Sequence, residues 1–360
     1  MTPTARPAIP ALFLCLSGCG SGDDSRPVDS NPAPAAIFED VTDHAGLAFQ
    51  HVNGGQGQKY RPEIMGAGGS ALDFDGDGWM DLYLVQSGAL PGVSEDPTLT
   101  NRLYRNRGDG SFEDVTSRSG TGDAGYGMGS VAADFDIDGD PDLYVVNYGA
   151  NVLYRNNGDG TFSDVTVPAG VGDAAWGSSA VFLDADRDGN LDLFVVNYLE
   201  FSIDGHVDCG SPSKGVLSYC SPDVYPMAAD VFYRGQGDGT FAVAGDRAGL
   251  VDDSGKGLGA VAADFTGDGH SDIYVANDST PNFLFVNDGR GRFDEQGVAL
   301  GVSHNEDGMT EAGMGVDAGD VNGDGRADIL VTNLSYETNA LYLGGEGYFT
   351  YATRRSGLYG

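Results

Sequence analysis

The stretch VAADFDIDGDPDLYVVNYGANVLYRNNGDGTFSDVT, residues 131–166, decides the fold. It contains short runs rich in apolar and aromatic residues, separated by turns of Gly, Asn and Asp, and such runs predict β-strands. Apolar side chains are consecutive in Leu143-Tyr144-Val145-Val146, so both faces of that strand are expected to be buried. We name the four predicted strands A to D, at residues 130–134, 142–148, 152–155 and 161–165.

The same pattern of four strands occurs five times along the chain. Strands A and B recur in residues 70–87, 131–148, 180–198, 260–278 and 317–334, and strands C and D in residues 101–120, 151–170, 230–249, 282–301 and 339–357. A repeated four-stranded sheet that is buried on both faces is the blade of a β-propeller. Parallel β-helices have much shorter repeats, and helical solenoids need a 3.6-residue periodicity that is not found. We therefore predict an all-β propeller of antiparallel blades over residues 37–360.

Residues 36–42, AIFEDVT, match strand D of the repeat although no strands A to C precede them. Five complete units and this orphan N-terminal strand predict a ring of at least six blades. A seventh is expected if the insertion at 199–229 or residues 47–64 add strands. The closing strands are expected from beyond residue 360, because propellers close by pairing strands from both chain ends and so remove exposed sheet edges.

A nine-residue loop of the form Asp-x-Asp-x-Asp-Gly-x-x-Asp joins strands A and B in every unit. Side-chain oxygens at positions 1, 3, 5 and 9 and a carbonyl at position 7 suit Ca²⁺, which takes six to eight hard oxygens. Asp-Gly pairs also make hairpin turns without any ion. Five acidic loops nevertheless favour cation sites, because clustered carboxylates repel each other unless they are neutralised. The expected ligands of about five calcium sites are Asp73, Asp75, Asp77, Asp81; Asp134, Asp136, Asp138, Asp142; Asp184, Asp186, Asp188, Asp192; Asp264, Thr266, Asp268, Asp272; and Asp320, Asn322, Asp324, Asp328.

The loop with Thr266 has one carboxylate fewer than the loops that carry four and is expected to be the weakest site. The composition fits this interpretation, with 54 acidic against 19 basic residues and a net charge of −35. That balance argues against nucleic acid, whose phosphates need Lys and Arg. Disorder is disfavoured because 40% of the residues are hydrophobic.

Residues 1–18 predict a lipoprotein signal peptide, with Arg6 followed by a short apolar core at 11–16. Its end, LSGC at 16–19, resembles the bacterial lipobox, in which Cys19 is lipidated; an ordinary cleaved signal peptide is the alternative. Residues 19–36 are polar and Pro-rich and predict a disordered tether. We therefore expect an exported protein of the bacterial cell envelope, lipid-anchored or else secreted, that meets the membrane only through this anchor.

Cys209 and Cys220 are the two cysteines outside the signal region, and both lie in the insertion at 199–229. An oxidising compartment predicts a disulfide between them. A metal site or two free thiols are the alternatives.

The DxDxDGxxD loops and the NxLYRNxGDGxFxDVT runs resemble the FG-GAP/VCBS repeats of integrin α-subunit propellers. The order of features over residues 37–358 resembles the bacterial cartilage-acidic-protein-like (ASPIC/UnbV-associated) family, on the segments FEDVT (38–42), YCSP (219–222), NDSTPN (277–282) and EAGMGVD (311–317). The resemblance implies an extracytoplasmic, calcium-stabilised propeller used in adhesion or recognition, with no agreed catalytic activity. Members usually continue into a further blade and a C-terminal domain, whereas this sequence ends at residue 360.

In a meandering blade the A–B and C–D turns share one face, and the B–C and D–A connections share the other. The insertion is a B–C loop and is therefore expected opposite the acidic loops, where variable loops on a rigid scaffold commonly bind partners. We expect a protein or glycan partner there and no enzyme, since no nucleophile motif, P-loop or HExxH occurs; a calcium-dependent hydrolase and a purely structural envelope protein are the alternatives. The candidate partner-binding residues are Tyr219, Asp223, Tyr225, His304, Glu306 and Asp307.

Overall fold

The computed structural model describes residues 38–93, 96–251 and 254–358. The predicted signal peptide (1–18), the lipidated Cys19 and the tether (19–36) lie outside the described residues. From Val41 onward the chain forms one compact unit, and the description below concerns that unit. No helix in its described part is long and apolar enough to cross a membrane.

Five four-stranded antiparallel sheets follow one another along this unit, each in the order A-B-C-D. The all-β propeller architecture predicted from the repeat is confirmed. The strands are, in blade 1, β1 Gly69–Leu72, β2 Asp81–Leu84, β3 Arg102–Asn106 and β4 Phe112–Asp114; in blade 2, β5 Tyr126–Ala133, β6 Asp142–Tyr148, β7 Val152–Asn156 and β8 Phe162–Asp164; in blade 3, β9 Gly177–Leu183 and β10 Asp192–Asn197, then the insertion hairpin β11 Cys209–Ser211 and β12 Val216–Ser218, then β13 Val231–Gly235 and β14 Phe241–Val243; in blade 4, β15 Gly257–Ala263, β16 Asp272–Asn277, β17 Phe283–Asn287 and β18 Phe293–Glu295; in blade 5, β19 Gly313–Gly319, β20 Asp328–Asn333, β21 Ala340–Gly344 and β22 Phe349–Tyr351.

Strand B is the centre of the packing between blades. In β6, Leu143 and Val145 pack on blade 1, whereas Tyr144 and Val146 pack on blade 3, and all four side chains are fully buried. Burying each such side chain contributes about 1.5–3 kcal/mol. The consecutive apolar residues of the sequence therefore correspond to a sheet covered on both faces, as expected.

A single helical turn follows every strand D, a feature that the sequence analysis did not predict. In blade 2 the turn is held by Asp164, whose Oδ1 accepts hydrogen bonds from the backbone N–H and the hydroxyl of Thr166. Each turn ends at a glycine with positive φ, such as Gly170 at 78°, a conformation that other residues adopt only with strain. The Asp-Val-Thr-x-x-x-Gly pattern is the signal that could have identified three of these turns, α1 Thr42–Ala45, which stands before blade 1 without a strand D, α2 Thr116–Ser119 and α3 Thr166–Ala169. The other turns are α4 Gly245–Ala248, α5 Gly297–Leu300 and α6 Thr353–Ser356.

The orphan strand expected at residues 36–42 requires correction. Phe38 to Val41 form no strand, and Thr42 begins α1. A β-strand needs a neighbour for its backbone hydrogen bonds, and the described residues provide none at this place. The helical turn itself is positioned as in the other blades: a Cβ on Gly46 would lie 3.3 Å from the carbonyl oxygen of Phe112, just as one on Gly120 would lie 3.5 Å from that of Phe162.

The innermost strands pack side by side in the order β1, β5, β9, β15 and β19, and among the described residues β1 and β19 make no comparable contact. On blade 5, Leu330 is half-buried and Thr332 exposed, where β6 has the buried Tyr144 and Val146. Residues 47–64 add no strand to a blade, and the insertion forms its own two-stranded sheet. The expectation that further strands complete the ring stays a prediction.

The insertion lies on the face opposite the A–B loops. Its Phe201 and Tyr225 pack with Trp176, which precedes strand A of blade 3, and with Tyr198, which follows strand B. The predicted disulfide between Cys209 and Cys220 is present, with a Cα–Cα distance of 5.3 Å.

Arg61, which precedes blade 1, binds the insertion and two blades at once. Its guanidinium donates to the carbonyl of Cys220 at 3.1 Å, to Tyr198 Oη at 2.7 Å and to Asp278 Oδ2 at 3.0 Å. Nearby, Tyr219 Oη donates to Glu63 Oε2 at 3.0 Å. The insertion is therefore held by Arg61 and Glu63 at Tyr219 and Cys220, next to one end of its disulfide.

We predict that the double change Cys209→Ser/Cys220→Ser loosens the insertion and leaves the blades folded. The disulfide closes a short loop, worth about 3 kcal/mol of chain entropy, but that loop lies outside the five blade sheets. Hydrogen exchange should accelerate in residues 199–229 and stay slow in β6 and β16. Faster exchange in the blades by the same factor would contradict this prediction.

Candidate metal centre

The first aspartate of each A–B loop folds the loop around itself. In blade 2, Asp134 Oδ1 accepts from the N–H of Asp138 at 3.0 Å and its Oδ2 from the N–H of Gly139 at 2.9 Å. Gly139 has φ 100°, which explains why glycine stands at position 6. Asp73, Asp184, Asp264 and Asp320 accept the same pair of hydrogen bonds in their loops.

The aspartate at position 9 joins the loop to strand C. Asp142 is fully buried; its Oδ2 accepts from the N–H of Phe135 at 3.0 Å and its Oδ1 from that of Asn156 at 2.7 Å. The sequence analysis assigned this residue to the ion alone, whereas the structure gives it a folding role as well, with a second lone pair left on each oxygen. The same arrangement holds for Asp81, Asp192, Asp272 and Asp328.

The side chain at position 5 accepts a hydrogen bond from the second half of the loop. Asp138 Oδ1 accepts from the N–H of Asp140 at 3.0 Å. Asp77, Asp188, Asp268 and Asp324 make the corresponding bond to the residue two positions on. This bond leaves the second carboxylate oxygen of Asp138 outside the loop's own hydrogen bonds.

The side chain at position 3 differs from the others, because its oxygens accept few hydrogen bonds within the loop. Asp136 Oδ1, Asp186 Oδ1 and Thr266 Oγ1 are buried and have no hydrogen-bond partner among the described residues. A buried oxygen without a partner costs about 1–3 kcal/mol, and more if it is charged. Asn322 is the exception, since its Oδ1 accepts from the N–H of Asp324 at 2.9 Å.

Carboxylates converge in three of the loops. In each group the ligand oxygens lie within 4.8 Å of one another. Oxygens on a calcium coordination sphere of 2.3–2.6 Å radius are at most about 5 Å apart, so these groups fit an ion of that size. Thr266 and Asn322 replace the position-3 carboxylate in blades 4 and 5, whose loops are not among the three. The groups are Asp73, Asp75 and Asp81; Asp134, Asp136 and Asp142; and Asp184, Asp186 and Asp188.

Burial raises the pKa of four of the position-9 carboxylates. Desolvation raises the pKa of Asp142 to about 7 and the pKa values of Asp81, Asp192 and Asp272 to about 6. Backbone hydrogen bonds to the carboxylate oppose this rise in all four. For Asp142, the nearby Asp136 and Asp138 add to it. A cation in the loop would remove the cost of holding these groups charged.

Two of the loops are bonded to the following blade. Asn156 of blade 2 donates from Nδ2 to the carbonyl of Phe74 in the blade 1 loop at 2.8 Å. Asn287 of blade 4 donates likewise to Ala185 in the blade 3 loop at 2.8 Å. The shape of these loops is therefore linked to the contact between blades.

The six candidate partner-binding residues differ in their surroundings. Tyr219 and His304 are half-buried, and Asp223 is mostly exposed while pairing with Lys256. Tyr225 is only 6% exposed and packs in the core of the insertion, so its ring is not a surface group. Glu306 pairs with Arg354, and Asp307 is exposed.

Four-stranded blades with an acidic loop between strands A and B define a β-propeller with metal-capable loops. The model of the FG-GAP-like repeat matches residues 73–145, 134–195 and 264–331, together more than half of the chain. The protein belongs to the FG-GAP-like repeat family.

The solved structures that are similar to this chain have low sequence identity to it. A lectin of Agrocybe aegerita, described as recognising non-reducing terminal N-acetylglucosamine, is 17% identical with a TM-score of 0.43, over 78% of this chain and 64% of the lectin. The Vibrio cholerae biofilm matrix protein Bap1 is 12% identical with a TM-score of 0.38, over 79% of this chain and 38% of Bap1. The chain thus spans less than two thirds of either protein. No curated protein matches it significantly in sequence.

We predict that the metal-free protein becomes less stable as the pH rises from about 5 to about 8. The folded-state pKa values of Asp81, Asp142, Asp192 and Asp272 lie above the unfolded value, so the folded state binds more protons in this range. The stability they give is fully present below the unfolded pKa and lost as the pH rises through the folded pKa. Urea unfolding in EDTA at a series of pH values measures this.

The same series in calcium is the control, because an ion that binds deprotonated carboxylates should flatten or reverse the trend. A metal-free protein whose stability increases with pH over this range would refute the prediction.

Proposed function

We propose that this protein is an exported calcium-binding propeller that serves as a recognition or adhesion scaffold for a protein or glycan partner. The observation that carries the calcium proposal is the buried, unpartnered oxygen at position 3 in three of the loops. It belongs to loops whose other ligand oxygens are already fixed by backbone hydrogen bonds. A calcium ion requires six to eight hard oxygens, and a buried oxygen without a hydrogen-bond partner is available as one of them.

The chemistry of the donor set supports calcium over softer metals. Carboxylate, amide, hydroxyl and carbonyl oxygens suit Ca²⁺ and Mg²⁺, whereas Zn²⁺ and Cu²⁺ favour His and Cys. Mg²⁺ demands a tighter octahedron at about 2.1 Å. Three converging carboxylates exceed the one or two by which Mg²⁺ is usually bound and so favour Ca²⁺.

The recognition role rests on the division between the two faces. One face carries the acidic loops, and the other carries the insertion, which is held by its disulfide and by Arg61. Loops fixed on a rigid scaffold are common binding surfaces. We infer that Tyr219, Asp223 and Asp307 contribute to such a surface, that the role is binding and not catalysis, and that Cys19 anchors the protein to the envelope.

We predict that EDTA lowers the melting temperature by more than about 10 °C, because ion binding is coupled to folding. Each kcal/mol of unfolding free energy shifts the melting temperature of a domain this size by about 2 °C or more. Asp134→Ala should weaken one site, and Asp264→Ala should have the smaller effect because its loop already has fewer carboxylates. Scanning calorimetry with and without calcium measures both. An unchanged melt under chelation would rule out the calcium proposal.

Asp136→Ala and Asp142→Ala form a matched pair within one loop. Asp142→Ala leaves the N–H groups of Phe135 and Asn156 unpaired and should destabilise the protein in EDTA as well as in calcium. Asp136→Ala removes a carboxylate with an unpartnered oxygen, so it should weaken calcium binding while leaving the metal-free melt unchanged or higher. Equal losses in EDTA for both variants would show that the loop is only structural.

We predict that the purified propeller captures a partner through the insertion face and that chelation abolishes the capture. Pull-down from envelope extracts and binding to a glycan array, each with and without calcium, measure this. Tyr219→Ala and Asp307→Ala should weaken binding, and Glu346→Ala, whose side chain is 90% exposed in the C–D turn of blade 5 on the opposite face, is the control. Binding that is unaffected by the two insertion-face changes but lost in Glu346→Ala would contradict the assignment.

A further inference from the structure

Two positions of the repeat vary together within this chain. Loop position 3 is aspartate in blades 1 to 3 and neutral in blades 4 and 5, where it is Thr266 and Asn322. The fourth residue of strand C is arginine in blades 1 to 3 and apolar in blades 4 and 5. The paired residues are Asp75 and Arg105, Asp136 and Arg155, Asp186 and Arg234, Thr266 and Val286, and Asn322 and Leu343.

The two positions contact each other where both are charged. Arg234 Nη1 pairs with Asp186 Oδ2, while Asp186 Oδ1 stays buried and unpartnered. Arg105 Nε pairs with Asp75 Oδ2, and its Nη2 with Asp77 Oδ2 at 2.8 Å. In blade 3 the arginine therefore takes one oxygen of the position-3 carboxylate and leaves the other free.

In blade 2, Asp136 Oδ1 is again buried and has no hydrogen-bond partner among the described residues. Arg155 occupies the position of strand C that corresponds to Arg105 and Arg234. Blades 1 and 3 therefore show the contact, and blade 2 has the same two residue types with the same free oxygen.

Across the four ligand positions and the strand-C residue, the pairing keeps the charge the same in all five blades. Counting the four ligand positions and the strand-C residue, blades 1 to 3 have four aspartates and one arginine, and blades 4 and 5 have three aspartates and no arginine. Each set sums to −3. The extra carboxylate and the arginine therefore occur only together.

We propose that the strand-C arginine and the position-3 aspartate form a charge-balanced pair, in which the aspartate presents one oxygen to the ion and the arginine positions it through the other. This inference rests on the proposed calcium binding. The arginine has two opposed effects on ion binding. Its positive charge repels the ion and lowers the affinity by about ten-fold at 5–6 Å in water. Its hydrogen bond orients a ligand of the ion, as residues around metal ligands commonly do. With Asp186 present the two effects offset each other; without it only the repulsion remains.

A double-mutant cycle on Asp186 and Arg234 tests the pair. Calcium affinity of the blade 3 loop is read from hydrogen-exchange protection of residues 184–192 against free calcium concentration. Arg234→Gln alone should change that affinity by less than about three-fold, and Asp186→Thr alone should weaken it by about 100-fold. The double variant should recover at least about ten-fold of that loss, because the unpaired positive charge is gone. Arg118→Gln, on the exposed side of α2, is the control and should have no effect.

An equal effect of Arg234→Gln with and without Asp186 would overturn the inference, because independent residues give additive free energies. If the double variant fails to fold, the pair is inserted in blade 4 instead. There Val286→Arg alone should weaken calcium binding to residues 264–272, and Thr266→Asp/Val286→Arg should restore it; failure to restore it would overturn the inference.

The cycle repeated in EDTA separates this inference from the proposed function. Without metal, Arg234→Gln should lower the melting temperature by leaving Asp186 uncompensated, and the added Asp186→Thr should restore it. A wild-type protein that binds no calcium but shows this coupling would refute only the calcium proposal. A calcium-binding protein whose melts in EDTA are additive would refute the pair.

Discussion

The fold depends on the buried carboxylate at the end of each acidic loop. Asp142 and its four equivalents accept hydrogen bonds from the loop and from strand C, and so they fix the A–B hairpin to the rest of the blade. Placing a carboxylate there has a cost, which is visible in the raised pKa of Asp142. The cost is lowered by protonation or by a nearby cation. Folding and pH are thus coupled at one carboxylate in each of blades 1 to 4, and a bound cation would act on the same group.

Packing between blades links each A–B hairpin to the neighbouring blade. Strand B is apolar on both faces, so Tyr144 and Leu143 each belong to a different interface. Asn156 and Asn287 add hydrogen bonds from one blade to the loop of the preceding one. A change in loop shape in blades 1 and 3 therefore reaches the next interface directly. This contact gives a physical route by which ion binding would stiffen several blades together.

The two faces of the propeller carry different groups because the strands of each blade alternate in direction. All A–B loops end on one face, which concentrates carboxylates there, and the insertion ends on the other. On that second face Arg61 joins Cys220, Tyr198 and Asp278, groups far apart in sequence. The acidic A–B loops and the insertion are therefore separated by the length of the blades. A partner on the insertion face would meet a surface that is held by a disulfide and an ion pair and not by the loops themselves.

The sequence alone determined the repeat, the four strands of each blade, the acidic loops and the disulfide, because each is encoded locally by apolar runs, Asp-Gly spacing and a short cysteine separation. The helical turn after strand D was equally local, in the Asp-Val-Thr pattern, but was overlooked. Only the tertiary structure decided which oxygens remain free: the position-9 aspartates are occupied by backbone N–H groups from strand C, and Asp186 shares its carboxylate with Arg234. It also placed Tyr225 in the core and left residues 38–41 without a strand. These outcomes depend on neighbours distant in sequence, and a linear pattern carries no information about which distant group will satisfy a given polar atom.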